Sequence, residues 1–201
     1  MREDIRDIEN IQSLSMVEIL ADILPQKVGS LLSINAMRED LSVSHKAIAH
    51  RVDILERFYY HFRIHPFVAS RIRSLKKEPK LYLWDWSEIN RNESARLENM
   101  VAAHLLKLCH FLYDVHGYRT NLYFLRDRDG REVDFLVTEQ NMPWFAVEVK
   151  SESRDVSKNL LYFGKRLKIP YLYQVVESVG VDMRRGSVRI VSVDKFLASL
   201  I

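Results

Sequence analysis

Apolar positions in the first sixty residues recur at helical intervals. Ile5, Ile8, Ile11 and Leu14 keep a three-residue spacing, and Met16, Ile19, Leu20 and Ile23 continue a helical pattern until Pro25 stops it. Val28, Leu31, Leu32 and Ile34 make another short apolar face. Ile34–Asp40 predicts a short helix, Leu41-Ser-Val-Ser44 a turn, and Ser44 an N-cap, because a serine oxygen accepts one of the free N–H groups of a first turn. From that cap Ala47, Ile48, Val52, Leu55 and Phe58 line one side of a further helix, with His45, Lys46, His50 and Arg51 pointing elsewhere. Tyr59–His65 then alternates as a strand does. Helix, tight turn, helix, then strand or hairpin is the order of a winged helix-turn-helix.

Phe67–Lys80 is a basic connector bracketed by Pro66 and Pro79. Arg71, Arg73, Lys76, Lys77 and Lys80 oppose only Glu78. It reads as a solvated linker and sets a boundary near residue 80, dividing the chain into 1–80 and 81–201.

The second half changes period. Leu81–Asp85 predicts a short strand and Asn92–Tyr113 a long helix whose buried side carries Leu97, Val101, Leu105, Leu108 and Leu112. Strands follow at Asn121–Arg126, Glu132–Thr138 and Trp144–Lys150, separated by turns at Asp127–Gly130 and Gln140–Pro143. A helix over Asp155–Lys168, strands at Tyr171–Glu177 and Ser187–Val193, and a helix over Asp194–Leu200 complete the pattern. This order predicts an α/β fold: a mixed sheet with helices on its faces.

Hydrophobic residues are 47% and charged residues 28% of 201, which excludes collagen-like, disordered and disulfide-scaffold classes. One cysteine, Cys109, allows neither an internal disulfide nor a cysteine zinc cluster, so a reducing, cytoplasmic setting is expected. No apolar run approaches the roughly 18 residues of a membrane span, and the N-terminus lacks an apolar signal core. A net charge of +3 does not by itself argue for nucleic acid.

Chemistry concentrates in Val133-Asp-Phe135 and, fourteen positions on, Glu148-Val-Lys150. Period two puts Glu148 and Lys150 on one face, and the hairpin lays Asp134 beside them. The neighbouring positions Val133, Phe135, Val137, Phe145, Val147 and Val149 are apolar. Buried carboxylates are costly unless paired or bound to a cation. Two of like charge at one spot call for a divalent ion, and hard oxygen ligands suit Mg²⁺ or Mn²⁺. Lys150 beside them can orient or deprotonate a water, or stabilise phosphorane charge. Glu98, mid-helix beside Asn99, is a fourth candidate ligand, and the Val149 carbonyl an auxiliary one. Glu132 reads as a surface charge on the opposite strand face, pairing Arg126. For nucleic acid, His45, Lys46 and His50 sit at the start of the second helix of the pair. A second basic stripe, Arg154, Lys158, Lys165 and Lys168, follows the Glu148 strand.

Asp134…Glu148-Val-Lys150 with an upstream helical Glu98 resembles the PD-(D/E)XK nuclease superfamily motif. The whole chain resembles the C-terminal half of a prokaryotic AAA-type ATPase family. The matching pieces are Arg2–Arg6, Ser42–Ser44, Leu55-Glu56, Lys80–Asp85, Leu97–Asn99, Phe124–Arg126, Glu132–Phe135 and Val147–Lys150. The resemblance implies a winged helix followed by a restriction-endonuclease-like domain of unknown function. It implies DNA as partner, with Asp134, Glu148 and Glu98 on Mg²⁺ or Mn²⁺ and Lys150 on the attacking water. No G-x-x-x-x-G-K-[ST] occurs, so no nucleotide-binding site of that type is present in this sequence, which reads as a truncated or a split member of that family, an ATPase domain in trans being the partner expected in the split case. The rival expectation is a non-catalytic module that binds DNA or protein and regulates such an ATPase.

Overall fold

Among the described residues, apolar segments assemble into one eight-stranded mixed sheet with six α-helices. The computed structural model describes residues 14–68, 77–90, 92–152 and 155–200. The expectations for Ile5–Ile11 and for Arg71, Arg73, Lys76 and Arg154 lie outside them. In chain order the elements are α1 (14–23), α2 (Ile34–Leu41), α3 (His45–Arg57), β1 (His61–Pro66), β2 (Lys80–Leu83), α4 (Glu93–His116), β3 (Thr120–Arg126), β4 (Glu132–Glu139) and β5 (Met142–Lys150). Then come α5 (Lys158–Leu167), β6 (Tyr171–Val176), β7 (Asp182–Arg185), β8 (Val188–Ser192) and α6 (Val193–Ala198). The sheet order is β2-β1-β3-β4-β5-β6-β8-β7. Among the described residues no helix is long and apolar enough to cross a membrane.

Ser44 caps α3, its Oγ accepting from the Ala47 N–H at 3.2 Å. The helix stops at Arg57, one residue short of expectation. Tyr59 turns left-handed at φ 59°, and Phe58, expected on the buried face, is 79% exposed. The strand therefore starts at His61 rather than Tyr59. His61 is fully buried, with Nε2 3.0 Å from the Val52 carbonyl, and Arg63 of β1 pairs with Asp53 and Glu56. These bonds fix α3 to β1.

β1 pairs antiparallel with β2 and, through only His65↔Tyr123 and Pro66↔Phe124, parallel with β3. Residue 80, where the sequence pattern changes, is thus the first residue of β2, inside the sheet. In a flat sheet β2 and β4 would stand about 14 Å apart, three strand spacings. Instead the Tyr82 and Phe135 rings approach to 5.7 Å between centroids, and the Lys80 ammonium lies 5.7 Å from the Phe124 ring centre. The β1–β2 pair therefore curls over the face of β3 and β4.

One core runs from α1 through Ile48, Val52, Phe62, Leu81 and Val101 to Phe135, Val147 and Phe196. A second, with Val133, Leu136, Ala146, Leu160 and Phe163, lies under α5. Helix α4 begins at an Asn92 cap, ends at Gly117 in the left-handed region, and buries Leu97, Asn99, Val101, Leu105 and Leu108. The buried Asn99 amide donates to the Leu83 carbonyl and accepts its N–H, both at 2.7 Å, so α4 grips the end of β2 as a neighbouring strand would.

Strand β7 escaped the pattern reading because all four of its side chains are exposed, leaving no apolar alternation. The β4–β5 turn is tighter than expected. Gln140 and Asn141 both take positive φ, and Glu139 pairs with Met142.

Candidate functional site

An irregularity in β4 builds the site. Tyr123 pairs with Leu136 and Leu125 with Val133, so Asp134 and Phe135 together face the single residue Phe124. Such a bulge bends the strand and re-aims side chains. Phe135 faces Val147, which sets Asp134 level with Glu148 on β5. Here the Val149 N–H donates to Asp134 Oδ2 at 2.8 Å. The carboxylate takes the place of a backbone partner.

Four carboxylates and two ammonium groups occupy the ends of these strands. Lys80 is 3% exposed, and its Nζ lies 2.6 Å from Glu132 Oε1, 3.4 Å from Glu98 Oε1 and 3.7 Å from Asp134 Oδ1. The Tyr82 hydroxyl, two positions along the same strand face, donates to Glu98 Oε1 at 2.7 Å. Gly29, at φ 74°, packs against the Glu98 carboxyl; a Cβ there would sit 3.2 Å from Oε1. On the other side of Asp134, Glu148 Oε1 meets Lys150 Nζ at 2.8 Å and the Ser157 hydroxyl at 3.3 Å. Glu148 Oε2 is buried and has no hydrogen-bond partner among the described residues. Ser157 also caps α5, and its N–H donates to Gln174, the β6 residue paired with Glu148.

Electrostatics follow from this crowding. Burial pushes the Glu98 carboxyl up to about 7, with the Asp134 charge adding to the shift and Lys80 opposing it. Burial also raises Asp134 against the pull of Lys80 and the Val149 N–H. Glu148 is raised by burial and then by Asp134. Burial alone would depress the Lys80 ammonium, but Glu98, Asp134 and Glu132 outweigh it and raise it. Lys150 is raised likewise, burial being outweighed by Glu148. Both lysines are therefore cations, and burial and crowding hold the Glu98, Asp134 and Glu148 carboxyls toward their protonated forms.

The structure brings Asp134, Glu148 and Lys150 together and sets Glu98 beside Asp134, turned toward Lys80 and Tyr82. Glu132 corrects the sequence reading. It does pair with Arg126, at 3.0 Å, but it also meets Lys80. Positions 132 and 134 are two apart and share a strand face. Lys80 was missed altogether. Its charge belonged to a basic run, and the strand was expected to begin one residue later, at Leu81, whereas all four residues of β2 are buried. Among the described residues no group of three or more His, Cys, Asp or Glu side chains is arranged to hold a metal ion.

His45, Lys46 and His50 are exposed on α3, and Lys158 and Lys165 on α5. The two helices pack into different cores. An open groove of about 1020 Å³, lined among others by Phe67, Phe124, Arg126, Arg128, Phe163 and Arg166, borders the Glu132 end of the cluster.

Fold and cluster together define a mixed α/β protein with a buried acidic centre at splayed strand ends. Residues 93–196, just over half of the chain, match the family described as a domain of unknown function, DUF4143, and the chain belongs to that family. Residues 1–92 match a second domain of unknown function, DUF8612. No curated protein and no solved structure matches the chain.

Proposed function

We propose that this chain is a DNA-binding, Mg²⁺- or Mn²⁺-dependent nuclease of the PD-(D/E)XK kind. In this reading residues 1–80 are a winged-helix region and 81–201 a restriction-endonuclease-like domain. The observation that carries it is Glu148 Oε2, a buried acceptor without a partner beside the raised carboxyl of Asp134. A hard divalent cation satisfies such an oxygen, so the donor chemistry fits. Asp134 and Glu148 hold the ion with the Val149 carbonyl, while Glu98 acts from behind through Lys80. When bound, the ion supplies positive charge to a phosphodiester oxygen.

The chain's own groups do the rest. Lys150 is about half exposed and protonated, so its ammonium orients the attacking water and meets negative charge developing on the phosphate. Val149 N–H holds Asp134 in place, and Ser157 holds Glu148. His45, Lys46 and His50 on α3, with Lys158 and Lys165 on α5, contact the DNA backbone. An AAA-type ATPase domain is the partner implied by the resemblance of the whole chain.

Cleavage of plasmid and oligonucleotide DNA with Mg²⁺ or Mn²⁺ tests this reading. Wild type cuts, and Asp134→Ala and Lys150→Ala do not; equal background nicking by all three rejects it.

One observation favours a second reading, a non-catalytic regulatory module: Lys80 already sits among three of the four carboxylates. That reading expects salt-dependent DNA binding without cutting.

A further inference from the structure

Three carboxylates within 4 Å of one ammonium is a cation site filled by a side chain. Glu132, Glu98 and Asp134 all turn oxygens toward Lys80 Nζ, and almost none of the lysine is exposed to water. The lysine ammonium lies 5.7 Å from the centre of the Phe124 ring, and Tyr82 from the same strand supplies a further donor to Glu98. Asn99 locks that strand to α4, one residue from Glu98. Position and charge of the ammonium are thus both fixed by the fold. The cation comes from the segment matching DUF8612, and all three anions come from the segment matching DUF4143.

We infer that Lys80 is a tethered cation standing where a second divalent ion would otherwise bind, and that it thereby limits the acidic centre to one exchangeable ion, on the Glu148 side of Asp134. The inference rests on the reading of Asp134 and Glu148 as a divalent-ion site. Lys80 is a positioning residue: it acts through Asp134, whose Oδ1 it faces while Oδ2 takes the Val149 N–H. Two divalent ions commonly sit about 3.5–4 Å apart when they share a bridging carboxylate. A fixed ammonium near Asp134 Oδ1 repels a second ion from that position and leaves the side facing Glu148 Oε2 open.

The test is the number of Mn²⁺ ions bound per folded chain, by calorimetric titration and by the electron paramagnetic resonance signal of free Mn²⁺. It compares wild type, Lys80→Met and Lys80→Arg in the full chain. Lys80→Met keeps the length of the side chain and removes its charge, which exposes three carboxylates to solution cations. It is expected to take one more Mn²⁺ than wild type, while Lys80→Arg takes the same number as wild type. Should Lys80→Met unfold in a chelator, Mn²⁺ is expected to restore its cooperative melt, and failure of Mn²⁺ to restore it overturns the inference. Equal Mn²⁺ counts for wild type and a folded Lys80→Met overturn it too, as does unfolding of both variants regardless of Mn²⁺, because shape rather than charge would then be what Lys80 supplies. A wild type that takes no Mn²⁺ overturns the inference together with the divalent-ion reading on which it rests. A wild type that takes two ions rejects the inference and leaves the nuclease reading standing.

Discussion

The two sides of Asp134 are built from the same kinds of group and differ in closure. On one side three carboxylates surround a lysine that is 3% exposed, and a tyrosine hydroxyl donates to one of them. On the other, one carboxylate leans on a half-exposed lysine and keeps an oxygen without a partner. The enclosed side resembles a structural ion pair: every charged group has a fixed partner supplied by the chain. The open side has an acceptor to spare and a half-exposed cation at its rim, which is what a site that exchanges ligands requires. The difference shows that residue type alone does not separate a structural charge from a functional one; burial and unmet hydrogen bonds do.

The sharpest way to break this comparison is to remove the enclosed cation. Lys80→Met leaves buried carboxylates uncompensated and is expected to destabilise the chain by about 3–5 kcal/mol at neutral pH without divalent ions, the usual cost of breaking a buried pair from one end. Lys150→Met, on the open side, is expected to cost about 1 kcal/mol or less. Urea unfolding of both variants measures the contrast, and equal losses would erase it. Next in size is Asn99→Ala, which leaves the N–H and C=O of buried Leu83 without partners. It is expected to cost about 2–3 kcal/mol, with amide exchange at Leu83 speeding more than elsewhere in the sheet.

A smaller effect separates the sides by pH. The Glu98 carboxyl is pushed up to about 7 in the folded chain, from an ordinary value near 4.5. Between these values the folded state binds a proton that the unfolded state has released. The stabilising contribution is therefore complete below about pH 4.5 and is lost as pH rises through about 7. Glu98→Gln removes this dependence, flattening the stability curve across that window by on the order of 1–2 kcal/mol; an unchanged slope would mean that Glu98 titrates normally. The smallest change is Ser157→Ala. Losing the cap of α5 and one bond to Glu148 is expected to cost about 1 kcal/mol, seen as a modest drop in melting temperature.

Much of this architecture was legible along the chain, for reasons that also explain the gaps. Asp134, Glu148 and Lys150 stood out because they interrupt apolar strands, and the structure does set the three together. Helix α3 was readable from Ser44 and the spacing of Ile48, Val52 and Leu55. Phe58 was misplaced because nothing in the apolar spacing announces the left-handed turn at Tyr59 that ends the helix. β7 was invisible because an exposed edge strand needs no apolar face. Glu132 was assigned to the wrong face although period two already sets it with Asp134. Lys80 was hidden for a different reason. Its surroundings come from β4 and α4, far along the chain, and depend on a sheet that curls over itself through two residue pairs at β1 and β3. A local reading sees only five cations in a row of fourteen residues and assigns them to solvent.

The most direct measurement of the open side is a calorimetric titration of Mn²⁺ into wild type and Glu148→Gln at pH 7.5. Wild type is expected to bind one ion, with at least a tenfold loss of affinity in Glu148→Gln, because the acceptor without a partner is the ligand removed. Equal binding by the two proteins, or no binding by a folded wild type, would contradict the assignment of Asp134 and Glu148 as a divalent-ion site.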